Sequence, residues 1–95
     1  MYIVAVKFLV KDGEMDNFMP PMLKQAEDSL SKEPNCTRFD VAVSDENPNL
    51  VFLYEIYNTK ADFDFHLETA HFASFAEKIG PFVADKQVEI FHLAS

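Results

Sequence analysis

The strand-like segments of this chain are apolar on both faces, and this feature limits the folds open to it. Residues 2–10, YIVAVKFLV, carry valines and aromatic side chains on one side, with Ile3 and Ala5 on the other. Residues 50–57, LVFLYEIY, and residues 87–93, QVEIFHL, repeat this two-sided pattern. An antiparallel sheet with one face in water alternates apolar and polar residues instead. Both faces of the predicted sheet therefore need a cover.

The predicted elements follow the order βαββαβ. Apolar residues recur every three or four positions from Met15 to Leu30, which is the period of a helix. Residues 36–43 alternate in polarity and are separated from residues 50–57 by a polar turn, so the two segments predict a hairpin. Short connections and right-handed crossovers then favour a ferredoxin-like α+β fold, in which the helices lie on one face of a four-stranded antiparallel sheet.

Prolines and threonines mark the predicted helix boundaries. Pro20-Pro21 falls inside the first helical pattern, so this helix is either kinked there or begins near Pro21 after a separate first turn. Thr59, followed by Asp62, predicts a capping box at the start of the second helix. Thr69 is a plausible joint at which a further helical segment begins, and Gly80-Pro81 ends that segment.

Two helical units can cover only one face of the sheet. The other face would leave on the order of several hundred Å² of apolar area in water, more than soluble monomers usually tolerate. A homodimer that packs sheet against sheet removes this area from water, at a gain of about 25 cal/mol per Å². The second apolar face can also line an internal cavity for a small-molecule ligand. The two arrangements are compatible, and we expect both.

Size and charge restrict the partners of the chain. Its 95 residues suffice for one domain, residues 1–95. The net charge is −8 and no two basic residues are adjacent, so we expect neither nucleic acid nor an anionic membrane surface as a partner. No apolar run is long enough for a membrane helix. The single cysteine, Cys36, cannot form an internal disulfide, which indicates a reducing compartment and predicts a cytoplasmic location.

Three polar residues, Glu55, His66 and His71, are the candidates for catalysis. Glu55 interrupts an apolar strand on the same side as Leu53 and Tyr57, so its carboxylate needs a partner or a water-filled cavity. The alternative is that Glu55 lies at a wet strand edge or is hydrogen-bonded across the dimer.

The two histidines are five positions apart and would point about 140° apart on one unbroken helix. A joint at Thr69 would let His66 and His71 face one cavity, where a histidine can act as general base or acid near neutral pH. An iron or zinc site of two histidines and one carboxylate is an alternative. The spacing is not a metal signature, however, and we expect no metal. His92 and Cys36 are expected to be structural.

Four short segments, in their order and spacing, resemble the antibiotic biosynthesis monooxygenase family. They are Glu33-Pro34-Asn35-Cys36, Arg38-Phe39-Asp40, Tyr54-Glu55-Ile56-Tyr57, and His66 through His71-Phe72. The likeness is strongest to small stand-alone members, which include quinol monooxygenases and the enzyme that processes phosphorylated autoinducer-2. It implies a dimeric α+β barrel of ferredoxin-like subunits, each with a cavity between its sheet and its helices.

The resemblance also implies an activity. Family members oxidise electron-rich aromatic substrates with O₂ and without metal, flavin or haem, so no cofactor is expected. By this resemblance one of the two histidines is the base, and Glu55 or Asp40 orients it. Arg38 or Tyr57 binds the substrate oxygen. The implied catalytic residues are His66, His71 and Glu55, and the implied substrate-binding residues are Arg38, Phe39, Asp40, Tyr57 and Phe72.

The sequence departs from the family pattern at two points, and the first narrows the expected activity. The haem-degrading branch and the aromatic polyketide oxygenases rely on tryptophan, and this chain has none. Asn35 replaces the usual glycine before the cysteine, a change that still tolerates a positive φ. Oxidation of a quinol-like substrate is therefore the first expectation. The alternatives are an isomerase acting on a phosphorylated autoinducer-2-type signal and a non-enzymatic, stress-related binding dimer.

Overall fold

The computed structural model describes residues 1–95 and contains one antiparallel sheet packed against helices. Its strands are β1 (Tyr2–Val10), β2 (Cys36–Val43), β3 (Leu50–Tyr57) and β4 (Val83–His92). Its helices are α1 (Met15–Lys32), α2 (Lys60–Leu67) and α3 (Ala70–Ile79), and a 3₁₀ turn, Gly80–Phe82, precedes β4. The strand order is β2-β3-β1-β4, and every pair is antiparallel. This confirms the predicted ferredoxin-like α+β fold.

Helix α1 is continuous through its two prolines. It extends from Met15 to Lys32, so the main helix does not begin near Pro21 after a separate turn. Each proline removes one helical hydrogen bond. Packing compensates for this loss, because Phe18 and Met22, on either side of Pro20-Pro21, are both fully buried against the sheet.

Two threonine caps divide the second helical region as predicted. The Thr59 hydroxyl accepts a hydrogen bond from the backbone N–H of Asp62, and the Asp62 carboxylate accepts one from the N–H of Thr59 at 3.0 Å. Thr69 caps α3 by accepting from the N–H of Phe72 at 3.2 Å, and its hydroxyl donates to the carbonyl of His66 at 2.8 Å. The chain therefore changes direction between the two histidines.

Two strand details differ from the predictions. β4 begins at Val83 rather than at residue 87, because Val83 to Lys86 continue the ladder with β1 across a register shift. In β2, the predicted alternation over residues 36–43 is interrupted near its start. A register shift between Cys36 and Arg38 instead brings Cys36 and Phe39 together in the core. The extra residue of such a bulge reverses the side on which following side chains point.

The face of the sheet opposite the helices has no cover within the chain. Ile3, Ala5, Phe52, Tyr54 and Phe91 line a broad, shallow depression of about 660 Å³ on it. Phe91 is 42% exposed, so the predicted second apolar face exists in the folded subunit. No helix of the protein has the length and hydrophobicity needed to cross a membrane.

Candidate active site

An aromatic-walled cavity of about 280 Å³ lies between the sheet and the helices. Five phenylalanines line it, namely Phe8, Phe39, Phe63, Phe72 and Phe75. Its polar lining consists of Gln25, Glu55, His66 and Lys86. The cavity opens beside β4 and the end of α2, where its exposed lining residues Leu67, Lys86 and Val88 lie. The site is therefore a small apolar chamber with few polar groups, a form typical of small-molecule binding sites.

A buried carboxylate joins the two histidines. Glu33 is 3% exposed and lies at the C-cap of α1. His66 Nδ1 lies 2.9 Å from Glu33 Oε2 and 3.1 Å from Oε1, and His71 Nε2 lies 2.5 Å from Oε2. The break at Thr69 makes this possible, because an unbroken helix would point the two rings apart. Glu33, and neither Glu55 nor Asp40, is the carboxylate that contacts the two histidines.

The histidines lie next to different spaces. His66 lines the inner cavity, whereas His71 lines a polar groove of about 230 Å³ between α1 and α3. Lys24, Asp28 and Lys78 belong to the same groove. The expectation that both rings face one cavity is therefore wrong. Both rings contact Glu33, and the ring of His71 is the more exposed of the two.

The surroundings of His66 favour a neutral imidazole. Burial lowers the pKa of His66, and the adjacent Glu33 carboxylate only partly offsets this effect. A neutral ring that donates its Nδ1 proton to Glu33 has its lone pair on Nε2. Nε2 makes no hydrogen bond within the protein. The ring centres of Phe63 and Phe72 lie 6.0 and 5.2 Å from the centre of the imidazole. The arrangement therefore leaves an imidazole nitrogen unpartnered in an apolar chamber.

Glu55 has the partner that its burial requires. It is 3% exposed and accepts a hydrogen bond of 2.6 Å from the Tyr57 hydroxyl. The prediction that it shares a side with Leu53 and Tyr57 is confirmed, and the alternative of a wet strand edge is wrong. Burial raises the pKa of Glu55 to about 7, although the Tyr57 hydroxyl and the Lys86 ammonium act in the opposite direction. The carboxyl can therefore gain or lose a proton near neutral pH.

Cys36 lies close to these carboxylates, but it does not form a reactive thiolate. It is 5% exposed, and burial, together with the charges of Glu33 and Glu55, raises the pKa of its thiol to about 12. The thiolate is the nucleophilic form of cysteine. The expectation that this residue is structural therefore agrees with its environment.

The remaining predicted substrate-binding residues divide between the two faces of the sheet. Phe39 and Phe72 line the cavity, and Tyr57 lies behind Glu55 as its hydrogen-bond donor. Arg38 and Asp40 are exposed on β2 and bind each other, with Nε 2.6 Å from Oδ2. The Arg38 guanidinium also stacks 5.3 Å from the ring centre of Tyr54, which belongs to the open face. The structure does not bring this ion pair to the cavity.

Sequence reasoning missed three polar residues of the site: Gln25 and, with closer contacts to the predicted residues, Glu33 and Lys86. An acidic residue at the end of a helix, such as Glu33, is unremarkable in a sequence. Its one signal was its place in the Glu33-Pro34-Asn35-Cys36 segment. Lys86 fell outside the predicted last strand, which began one residue later. Both residues acquire their positions from tertiary packing.

Gln25 and Ser29 form a buried polar stripe on α1. Gln25 is 2% exposed and Ser29 is fully buried, and neither the amide nor the hydroxyl has a hydrogen-bond partner. Together with Glu33 they are spaced four residues apart, so the stripe follows one face of the helix. Only its last member, Glu33, is hydrogen-bonded by another side chain.

Glu33, His66 and His71 are also the residues best placed to hold a metal ion, since one ligand atom from each lies within 4.8 Å of the others. Their separations, however, are those of direct hydrogen bonds. Ligands about 2.0–2.1 Å from a tetrahedral zinc lie roughly 3.3 Å from one another. The 2.5 and 2.9 Å contacts to Glu33 Oε2 are shorter than that. The geometry fits direct hydrogen bonds between one carboxylate and two imidazoles. We call Glu33, His66 and His71 the clamp.

The family model for antibiotic biosynthesis monooxygenases matches residues 1–78. The chain belongs to the antibiotic biosynthesis monooxygenase family. The match confirms the resemblance seen in the four sequence segments. It includes every residue of the clamp, whereas Lys86 and the rest of β4 lie beyond it.

Solved structures show the same fold over the whole chain. A proposed antibiotic biosynthesis monooxygenase from Nitrosomonas europaea is 29% identical, with a TM-score of 0.95 and full coverage of both chains. A second structure, described as an antibiotic biosynthesis monooxygenase, is 23% identical, with a TM-score of 0.93 and full coverage of both. A conserved protein from Methanosarcina mazei is 22% identical with a TM-score of 0.90, over 96% of this chain and 90% of that one. The last two likenesses concern the fold alone.

Proposed function

We propose that this protein is a cofactor-independent monooxygenase that oxidises a quinol-like aromatic substrate with O₂, and that His66 is its base. The observation that carries the proposal is the buried clamp. Glu33 accepts from Nδ1 of His66, and this leaves Nε2 as the free basic nitrogen of a ring that lines the cavity. Family membership supports the reaction class.

The chemistry requires only a base and a dry chamber from the protein. Transfer of a hydroxyl proton from the quinol to His66 Nε2 leaves an electron-rich anion that reduces O₂. One oxygen atom enters the ring as a hydroxyl group, the other leaves as water, and the quinol becomes a hydroxyquinone. The substrate supplies all four electrons, so the reaction balances without a further reductant.

The other polar groups have supporting roles in this proposal. Glu33 is a positioning residue that fixes the tautomer and the direction of the His66 ring. Glu55 is a second proton carrier, because its pKa of about 7 lets it exchange a proton near neutral pH. Tyr57 positions Glu55. Arg38 has no role in this cavity, since it lies with Asp40 on the exposed side of β2.

The cavity favours an aromatic substrate over a phosphorylated sugar-like signal. Apolar residues form most of its walls, five of them phenylalanines, and Lys86 is the only lysine or arginine in its lining. A phosphate dianion needs several donors or cations to replace its water. No specific observation therefore supports the isomerase alternative.

The open face of the sheet is proposed to pair with a second copy of the chain. Its apolar residues belong to three of the four strands, β1, β3 and β4, and include Ile3, Phe52 and Phe91. An apolar face of this kind is self-complementary in a twofold dimer. The pairing would complete the expected dimeric α+β barrel and leave each inner cavity within its own subunit.

Isotope labelling tests the proposed reaction. The purified protein is incubated with benzohydroquinones and naphthohydroquinones under ¹⁸O₂, beside a heat-inactivated control that measures spontaneous oxidation. We expect one O₂ consumed per quinol and one ¹⁸O atom in the hydroxyquinone. Protein-dependent uptake that yields hydrogen peroxide and unlabelled quinone would contradict monooxygenation. Uptake no faster than the control across the panel would contradict quinol oxidation.

A further inference from the structure

Lys86 is the one lysine or arginine of the cavity, and the proposed reaction as described above does not use it. Its side chain lines the same chamber as His66 and Glu55. Its Nζ atom lies 5.5 Å from the ring centre of Phe8 and 6.0 Å from that of Phe72. The Phe72 ring is also 5.2 Å from the His66 ring. A single planar ligand against Phe72 would therefore meet the imidazole and the ammonium together.

The ammonium of Lys86 has no carboxylate partner. Ion pairs engage Lys24, Lys32, Arg38 and Lys60. Lys86, like Lys7, Lys11 and Lys78, forms none, and it alone of these four lines the cavity. The net charge of the chain is −8, so carboxylates are abundant elsewhere. A lysine kept over two aromatic rings at the mouth of a cavity retains a free charge that a ligand can use.

The charge of Lys86 acts on groups inside the cavity. It lowers the pKa of Glu55 and also lowers that of His66, in each case as a smaller influence than burial. Both effects have the sign expected of a cation whose field reaches the interior. The position of Lys86 explains how its charge acts on the interior. Lys86 lies on the edge strand β4, and its side chain extends over Phe8, its partner in β1.

We infer that Lys86 makes the cavity a binding site for aromatic anions, in which the ring lies against Phe72 and an ionised oxygen faces the ammonium. This inference deepens the proposed function, since a quinol that has given its proton to His66 is such an anion. It also names the substrate class more narrowly: aromatic compounds that carry an acidic hydroxyl or carboxyl group are preferred to neutral ones.

A matched pair of fluorescent probes tests the site without turnover. The probes are 2-naphthoate and 2-naphthalenemethanol, which share a ring system and differ in charge. The chain contains no tryptophan, so the naphthalene emission is read against a low background. In low salt we expect the carboxylate to bind about tenfold more tightly than the alcohol, as for a hydrogen bond to a charged group. Added salt should reduce this ratio, because the ammonium is exposed.

Variants assign the preference to one side chain. Lys86→Met keeps the apolar stem and should bind both probes equally, and Lys86→Gln provides a second neutral variant. Lys86→Arg should retain the preference. Lys78→Met is the matched control, because Lys78 lines the outer groove and should leave the preference unchanged.

Three results would overturn the inference: equal affinity for the two probes in the unmodified protein, a preference that survives in both neutral Lys86 variants, or no binding of either probe. The outcome is separable from that of the oxygen assay. A protein that prefers naphthoate through Lys86 but consumes no O₂ keeps this site and loses the proposed reaction.

Discussion

Burial is the main cause of the raised pKa of Glu55, and this shift makes the free energy of unfolding depend on pH. Its pKa rises from 4.5 to about 7 in the folded protein. The folded chain therefore binds this proton more tightly than the unfolded chain. The resulting stability is fully present below about pH 4.5 and is lost as the pH rises through about 7.

Glu55→Gln cannot ionise, so we expect it to gain stability relative to the unmodified protein as the pH rises from about 5 to about 8. The gain should be on the order of 2 kcal/mol. Urea unfolding at the two pH values measures the difference in free energy. Glu77→Gln, at an exposed position on α3, is the control and should show no such dependence. A Glu55→Gln difference that is constant with pH would contradict the assigned environment.

Ser29 provides a second test at a single residue. Its hydroxyl is fully buried without a hydrogen-bond partner in the last turn of α1. Ser29→Ala removes this unsatisfied group and introduces a better helix former, so we expect a stabilisation of about 1 kcal/mol. Ser31→Ala is the matched control. The Ser31 hydroxyl is exposed and donates to the carbonyl of Glu27 at 2.8 Å, and its loss should change the free energy of unfolding little. Destabilisation by Ser29→Ala would show that the hydroxyl has a partner.

Sequence patterns identify the residues of the site that stand out from their own segment of the chain. Glu55 interrupts a strand, and His66 and His71 flank a helix break, so each was recognisable before any contact was known. Glu33 and Lys86 were not. Their importance depends on what the fold places opposite them, two imidazoles for one and the cavity rings for the other.

At the scale of elements, the break between α2 and α3 sets the positions of the two histidines of the clamp. Thr69 accepts from the N–H of Phe72 and donates to the carbonyl of His66, so one side chain links the two helices. We expect Thr69→Ala to cost about 1 kcal/mol, the usual effect of a lost N-cap, and also to lower the oxidation rate by loosening His66 against His71.

Thr59→Ala separates these two effects. It removes the cap of α2 at the end distant from the histidines and should cost similar stability. Thermal unfolding and oxygen uptake are measured for both variants. If Thr59→Ala and Thr69→Ala lower the rate equally, the break has no special role in arranging the site.

The caps and the element order could be predicted because they depend on local signals. Thr59 with Asp62 and the turn at Gly80-Pro81 are examples. The start of β4 could not, because residues 83–86, VADK, have no alternating strand pattern and become a strand only by pairing with β1. The path of α1 through Pro20-Pro21 was likewise decided by packing against the sheet, which the sequence does not display.

At the scale of the whole molecule, the uncovered sheet face predicts self-association. Light scattering after size exclusion should give the mass of a dimer. Phe91→Lys places a charge among the apolar residues of the open face and should shift the protein to monomer. Phe65→Lys is the control, because Phe65 is more exposed, at 58%, but lies on α2. A monomeric unmodified protein, or a Phe91→Lys variant that remains dimeric, would contradict this interface.

Oxygen uptake by His66→Ala, measured beside His92→Ala, tests the central claim that His66 is the base of an O₂-dependent reaction. His92 lies on β4 against the Tyr2 ring and has no place in the cavity. With a quinol turned over by the unmodified protein, we predict that His66→Ala lowers kcat/KM by about 10²- to 10⁴-fold, as for loss of a general base. His92→Ala should retain the rate. A folded His66→Ala variant that oxidises the quinol as fast as His92→Ala would contradict the account.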